Sequence, residues 1–217
     1  MAGFLANVGA NAGHPVRSPL FADGSFRLHP IPESRPWAPP MLRLPEVWGA
    51  RAVHLDPDLE GDPPTYGDNC RRAGRAFSLR RAAAGDVICF LARLQPTDGP
   101  AGFFLVGALH VAEVRADVAS DPGPGWWDAN AHVRRARAGA DWDSFWLFRG
   151  GPGSGRLPRA VPFMRAECES VLGPGLSWPT GRTELQTIGS YSRAIRRVTG
   201  EHEAVLRRLS RCCPCPS

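Results

Sequence analysis

The residues best suited to chemistry lie in one stretch, "HLDPDLEGDPPTYGDNC", from His54 to Cys70. Five acidic residues fall within fifteen positions of a chain whose overall charge is +5. His54, Asp56 and Asp58 alternate, and Glu60 continues the pattern, so that on a strand all four side chains would share one face. Imidazole and carboxylate groups arranged in this way could hold a divalent cation or act as acid and base.

Proline makes the metal interpretation the weaker one. Pro57 does not suit a regular central strand, and acidic side chains next to Pro and Gly commonly bond their own backbone in turns. We therefore predict no bound metal and no cofactor, and we assign no catalytic residue.

The end of the stretch offers a different chemistry. Tyr66, Gly67 and Asp68 supply an aromatic face, a flexible backbone joint and a carboxylate acceptor, which together could hold a flat polar ring such as a base. The alternative is a turn before a helix, with Asp68 as its N-cap.

The elements that must position these residues form a mixed pattern. "GFLANVGA" predicts a first strand, "ADGS" with Asp23 and Ser25 predicts a hairpin turn, and "DVICFLARLQ" and "GFFLVGALHVAEV" predict two paired strands. "SFWLFRGG" and "LPRAVPF" predict further strands. Helices are predicted after Cys70, over 129–138, in "YSRAIRRV" and in "EHEAVLRRLSRC".

This pattern favours an α+β fold, a small mixed β-barrel or sheet with short peripheral helices, rather than repeated βαβ units. The length of 217 residues favours a single domain over 1–211. Within it, 34–64 is rich in proline and poor in periodicity, and we predict an irregular excursion there. Residues 212–217, which include "CCPC", are predicted to be a flexible tail.

All 26 basic residues are arginine, and the chain contains no lysine. Schiff-base chemistry and a phosphate-loop lysine are therefore excluded within this chain. The arginines and a pI near 9.2 suit a nucleic-acid partner. No apolar run is long enough to span a membrane and no secretory signal is evident, so we expect a cytoplasmic protein without a membrane partner.

Three strings carry a family resemblance: "SPLFADGSFRLHPIPE", "HLDPDLEGDPPTYGD" and "AAAGDVICFLARL". From the first strand to about Val114, and again in "WLFRGGPGSGRLPRAVPF", the sequence resembles the nucleotide-modification-associated domain family of the third type. That resemblance implies a place beside phage and bacterial DNA-modification systems.

A second resemblance, of pattern only, is to the PUA-like superfamily and its EVE and ASCH branches. It rests on "TYGDNCRRAGRAFSLRRAAAGDVICFLARL", "FFLVGALHVAEV" and "GRLPRAVPF". It implies that Tyr66 to Asn69 wall a pocket for a modified base. The Pro-rich stretch from Ser34 to Pro64 has no counterpart in that superfamily.

The leading hypothesis is a module that recognises a modified base or nucleotide within a DNA-modification or defence system, by stacking, edge hydrogen bonds and Arg–phosphate contacts. One alternative is an enzyme that modifies or processes a nucleotide or DNA base with Asp56, Asp58, Glu60 or Asp68. Another is a structural partner in a modification complex. The predicted ligand-binding residues are Tyr66, Gly67, Asp68, Asn69, Asp23, Ser25, His54 and Asp56.

Overall fold

The computed structural model describes residues 1–9, 16–32, 53–71 and 74–211. Much of the predicted Pro-rich excursion and the whole of the predicted tail therefore lie outside the described residues. The strands are Ala2–Val8 (β1), Ser18–Leu20 (β2), Ile31–Pro32 (β3), Val53–His54 (β4), Thr65–Asp68 (β5), Val87–Pro96 (β6), Gly102–Val118 (β7), Phe145–Gly150 (β8), Gly155–Pro162 (β9) and Arg196–Thr199 (β10).

The helices are short. Two have 3-10 geometry, Gly74–Arg81, here labelled η1, and Trp126–Ala129. The α-helices are Ala131–Arg137 (α1), Arg165–Leu172 (α2), Glu184–Tyr191 (α3) and Glu201–Arg211 (α4). No helix in the described ranges has both the length and the apolar character needed to cross a membrane.

One eight-stranded mixed sheet organises the molecule, with the order β10-β1-β6-β7-β8-β5. β2 also pairs with β6, β9 also pairs with β7, and β3 and β4 form a separate two-stranded sheet. β1 and β2 both run parallel to β6, while the other pairs in the main sheet are antiparallel. The α+β class is thus confirmed. Among the described strands, β10 and β5 lie at the two ends of this order and do not pair with each other. The described sheet is therefore open. Of the two predicted arrangements, barrel or sheet, the structure has the sheet.

The centre of the sheet is the predicted pair β6 and β7, which runs from Val87↔His110 to Leu94↔Gly102. Their apolar runs are buried on both faces, because a layer packs against each side. The first core cluster, which includes Phe90 and Phe148, lies under η1; the second, which includes Leu91 and Leu105, lies under α2, α3 and α4. A third, smaller cluster lies under α1 around Val133 and Phe145.

The predicted hairpin at "ADGS" is confirmed by the bridge between Leu20 and Phe26, with Gly24 at φ 82°. The predicted helix in "YSRAIRRV" is wrong, because its second half forms β10 against the edge of β1. The burial of Val198 between the sheet and the helix layer outweighs the helical spacing of the arginines.

Candidate functional site

The "TYGD" segment is not a turn but the short strand β5, at one end of the sheet order, and all four of its residues are buried. It pairs with β8 through Tyr66↔Phe148 and Asp68↔Trp146. Because side chains alternate along a strand, Tyr66 and Asp68 point to one face and Thr65 and Gly67 to the other. β5 therefore presents two different surroundings, one on each face.

On the first face, Tyr66 packs inside the core with 3% of its surface exposed. Its ring meets Phe90 edge-on at 5.1 Å between centroids and stacks on Phe148 at 6.0 Å. Its hydroxyl donates to Asp68 Oδ2 at 2.9 Å. Burial, together with the neighbouring carboxylates, raises the pKa of Tyr66 well above its ordinary value, so the hydroxyl remains a hydrogen-bond donor.

Asp68 connects this buried tyrosine to the surface. Its Oδ2 lies 3.6 Å from Arg75 Nη2, and the Arg75 side chain is 60% exposed. Its Oδ1 accepts from the backbone N–H of Asn69 at 2.8 Å. The carboxylate thus forms an ion pair with the guanidinium of Arg75, and more than half of that side chain faces solvent.

On the second face, Asp56 and His132 form a pair that sequence reasoning missed. Asp56 Oδ2 lies 3.1 Å from His132 Nε2, with side chains 7% and 15% exposed. Burial lowers the pKa of His132, but the hydrogen bond and charge of Asp56 and the charge of Asp68 outweigh it, and the net pKa is raised. His132 lies 76 residues from Asp56 in a segment predicted only as a basic helix, so no local spacing signals the pair.

The other carboxylate oxygen of Asp56 seals the edge of β5. Oδ1 accepts a hydrogen bond from the Gly67 N–H at 3.1 Å. This N–H at the edge of β5 is therefore not available to the carbonyl of another strand. Gly67 also leaves room for α1, since a Cβ there would lie 2.6 Å from His132 Cδ2. Asn130 completes the contact by capping α1 and donating to Thr65 Oγ1 at 3.1 Å.

The remaining acidic residues of the stretch do not converge. Asp58 Oδ1 accepts from the N–H groups of Glu60 and Gly61 at 3.3 and 3.0 Å, as a turn former does. Glu60 pairs with Arg156 at 3.0 Å. Within the described ranges, no group of three or more His, Cys, Asp or Glu side chains could hold a metal ion.

The other predicted ligand-binding residues divide between two places. His54 in β4 lies near the Asp56–His132 pair, with its ring centroid 6.2 Å from that of His132. Asp23 and Ser25 instead form the hairpin turn, where Asp23 Oδ1 accepts from the N–H and the hydroxyl of Ser25 at 2.9 and 2.6 Å. That turn packs on β9, because Ala160 donates to the Gly24 carbonyl at 2.9 Å.

The exposed surface around Arg75 is basic, and we call it the basic face. We define it as the exposed side chains Arg75, Phe77, Arg80, Arg81, Arg193 and Arg197. The two segments that carry it, η1 and the approach to β10, are joined by Ile195 N–H to Arg75 O at 2.7 Å and Ser78 Oγ to Ile195 O at 2.8 Å. Neither 69–85 nor 192–200 contains an acidic residue.

Phe77 is the aromatic member of the basic face, and 52% of its surface is exposed. The Arg80 guanidinium lies 5.0 Å from the centroid of its ring and 5.5 Å from that of Trp146. Runs of arginine without acidic residues are visible in the sequence and could have signalled this face. What the sequence does not show is that the two runs pack together.

Comparison with models of protein families gives a match that covers most of the chain. The family model described as nucleotide modification associated domain 3 matches residues 4–171. No curated protein and no solved structure matches the chain. The matched range contains β5, Asp56, His132 and η1, and it ends before the segment that carries Arg193 and Arg197.

Proposed function

Because the chain belongs to the nucleotide modification associated domain 3 family, we propose that it is a nucleic-acid-recognising module of a nucleotide- or DNA-modification system. The family name supports the association with nucleotide modification. Recognition of nucleic acid is our inference from the surface of this chain.

The observation that carries the proposal is the basic face. Five exposed arginines and an exposed phenylalanine lie on two adjoining segments, and the guanidinium of Arg80 lies over the phenylalanine ring. Guanidinium groups bind phosphate through paired hydrogen bonds, and an exposed ring offers a surface on which an unpaired base can stack. Arginine and aromatic side chains together are the usual means of holding single-stranded nucleic acid.

In this proposal, Tyr66 and Asp68 are buried and support Arg75 rather than contacting the nucleic acid themselves. The buried tyrosine hydroxyl and Arg75 share Asp68 Oδ2, and the charge of the carboxylate keeps the guanidinium close to the end of β5. Phe77 takes the stacking role that the sequence pattern suggested for Tyr66. Asp56 and Gly67 hold β5, and thereby Asp68, against α1.

Oligonucleotide binding measured by fluorescence anisotropy over a range of salt concentrations tests the proposal. On duplex DNA, log K should fall linearly with log salt with a slope of about −0.9 per phosphate neutralised. Arg81→Gln and Arg197→Gln should each reduce that slope by about 1 and weaken binding to all sequences alike. Affinity independent of salt would contradict the proposal.

Phe77→Ala separates base stacking from phosphate binding. Truncation of a stacking ring costs about 1 to 3 kcal/mol on single strands, with little change in the salt slope. Arg208→Gln, an exposed arginine on α4, is the matched control and should bind as the wild type does. If Arg208→Gln weakens binding as much as Arg81→Gln, net charge rather than the basic face accounts for the affinity.

The Asp56–His132 pair favours a second candidate, an enzyme that processes a nucleotide or DNA base. A carboxylate that orients an imidazole and favours its protonated form is one way to prepare a general acid. Incubation with deoxynucleotides and with oligonucleotides, followed by mass spectrometry, tests it. Turnover by the wild type that His132→Gln abolishes, with folding retained, would place this candidate first.

A further inference from the structure

Arg80 differs from the other arginines of the basic face in what its guanidinium contacts. The group lies over the ring of Phe77, 5.0 Å from the ring centroid, and over the ring of Trp146 at 5.5 Å. Trp146 is buried, whereas Phe77 is the exposed aromatic member of the basic face. Arg80 therefore lies where an aromatic side chain of the core adjoins one of the surface.

The hydrogen-bonding groups of Arg80 are unused. In the part of the chain that the structure describes, its guanidinium donates no hydrogen bond and forms no ion pair. Asp68 lies opposite Trp146 in the strand register. Its carboxylate is already engaged by the Tyr66 hydroxyl and by Arg75. The five N–H donors of the Arg80 guanidinium thus remain available to a ligand.

Contact with two rings limits the freedom of this exposed arginine. A long side chain loses rotamer freedom when it binds a ligand, and that loss weakens binding. Cation–π contacts with Phe77 and Trp146 remove part of the freedom of Arg80 before any ligand arrives. Across the described ranges, the side chains of Arg81, Arg193 and Arg197 have no hydrogen bond, ion pair or ring contact. Arg80 is thus better prepared than these three to recognise a ligand of defined shape.

We propose that Arg80 reads the base of a bound nucleotide and makes the basic face selective for guanine in single-stranded nucleic acid. This inference rests on the proposed function, since it assigns a base to the same surface. Guanine presents O6 and N7 as adjacent acceptors, which two N–H groups of one guanidinium bind together. Adenine places a donor amino group beside N7, and thymine places a methyl group beside its carbonyl, so neither matches the guanidinium.

Single strands suit this mode of recognition, because their bases are free to present their edges to side chains. Cytosine also has two neighbouring acceptors, N3 and O2, on the edge that a duplex hides. We favour guanine because the adjoining Phe77 ring is 52% exposed, and a purine buries more apolar surface on such a ring than a pyrimidine does.

The simplest structural role for Arg80 is to cover Trp146. A long arginine stem often lies along an apolar side chain while its charged end stays in water. That role needs the stem and not the N–H groups. Arg80→Met keeps an unbranched stem and removes the donors, so it separates the structural role from base recognition.

Fluorescence anisotropy with single-stranded oligonucleotides tests the proposal. Each probe is a run of thymidines with one central base: guanine, hypoxanthine, 7-deazaguanine, adenine or cytosine. We expect the wild type to bind the guanine probe about tenfold more tightly than the adenine probe. Hypoxanthine keeps O6 and N7 and should bind as guanine does. 7-Deazaguanine lacks N7 and should lose most of the preference.

Arg80→Met should bind the guanine and adenine probes with similar affinity, while its Tm stays at the wild-type value because the stem still covers Trp146. Arg81→Met is the matched control, since it removes the same charge from the next residue. It should weaken binding to every probe alike and keep the preference for guanine, as expected of a phosphate contact. Loss of the preference in Arg80→Met alone supports the proposal.

The possible results also separate this inference from the proposed function. If all probes bind the wild type equally and Arg81→Met reduces the salt slope, the basic face binds the backbone and only the inference is overturned. It is likewise overturned if cytosine or 7-deazaguanine binds as tightly as guanine. A loss in Arg80→Met by the same factor for every probe would mark a phosphate contact and overturn it too. If no probe binds even at low salt, the inference and the proposed function both fail.

Discussion

At the scale of single residues, Gly67 decides whether β5 and α1 can meet. The His132 ring and the Asn130 side-chain oxygen lie where a side chain at this position would begin. The absence of a Cβ therefore lets Asp56 hold both the Gly67 N–H and the imidazole. The glycine matters here for close approach, since its backbone is that of an ordinary strand residue.

Gly67→Ala should destabilise the fold. The added methyl would lie 2.6 Å from His132 Cδ2, so α1 or the imidazole must shift, at a cost of about 1 to 3 kcal/mol. Chemical denaturation measures the loss. Gly175→Ala, where a Cβ meets nothing within 4 Å, is the control and should stay close to the wild type. Equal stability of the two variants would show that α1 does not press on β5.

The charge state of His132 should depend on Asp56. In Asp56→Asn the burial of the ring remains while the facing charge is lost, so the pKa of His132 should fall. Nuclear magnetic resonance titration of the ring nitrogens follows the change. A pKa that is the same in both proteins would mean that the pair is not formed in solution.

The same pair gives a pH dependence of stability. The folded-state pKa of His132 is raised, so its contribution is fully present below the ordinary histidine value of about 6.5 and is lost as the pH rises through the folded-state pKa. The difference in unfolding free energy between the wild type and His132→Gln should therefore shrink from pH 6 towards alkaline pH. A difference that grows over this range would reverse the sign and contradict the pairing.

At the scale of elements, η1 is held to the rest of the chain by a few hydrogen bonds and by two buried side chains. Ala76 and Leu79 enter the first core cluster, and Ser78 and the Arg75 carbonyl bond the backbone of Ile195. Since η1 has no acidic residue to pair with its own arginines, these anchors determine where the basic face points.

Ser78→Ala should loosen η1 without disturbing the central strands. Loss of the bond to Ile195 O, 2.8 Å long, should cost about 1 kcal/mol. Hydrogen exchange should become faster in η1 and in the segment before β10, and stay unchanged in β6 and β7. Ser170→Ala removes a bond within α2 at the surface and is the control. Uniform acceleration across the sheet would mean that η1 is not a separate unit.

Elements with a strong local pattern could be predicted from the sequence. The apolar runs of β6 and β7, the Asp-Gly hairpin and α4 each follow from periodicity or turn chemistry within a few residues. β10 could not be predicted in this way, because its strand conformation depends on its pairing with β1. α2 and α3 were not anticipated either, although α3 begins with a capping box formed by Thr183 and Gln186.

The candidate site was likewise predictable only in part. That Tyr66, Gly67 and Asp68 occupy a special position was predictable from their types and spacing. The partners were not, because His132, Asn130 and Arg75 reach β5 from separate elements. The alternation of His54, Asp56 and Asp58 was misleading, since only Asp56 turns toward β5 and Asp58 closes its own turn.

At the scale of the whole molecule, the sheet separates two large core clusters that exclude water. Three cysteines lie in them, Cys70 in the first cluster and Cys89 and Cys168 in the second. Burial raises the pKa of all three thiols, that of Cys89 to about 12 and that of Cys168 to about 11. Thiolate, the reactive form, is thus scarce in the folded protein.

These three thiols should be inert until the protein unfolds. A variant with serine at Cys212, Cys213 and Cys215 retains only the three buried cysteines. At pH 8 it should release almost no chromophore from a disulfide reagent when folded, and three equivalents in denaturant. Rapid labelling of one thiol in the folded protein would locate a local opening in the cluster that contains it.

The placement of β1 between β10 and β6 has a consequence for synthesis on the ribosome. Ala2 pairs with Thr199, so one edge of β1 can be covered only after almost all of the described chain has been made. At about 5 to 20 residues per second, translation takes on the order of 10 s or more to reach β10. For that time the nascent chain carries an apolar strand with an open edge, which is the kind of segment that chaperones bind.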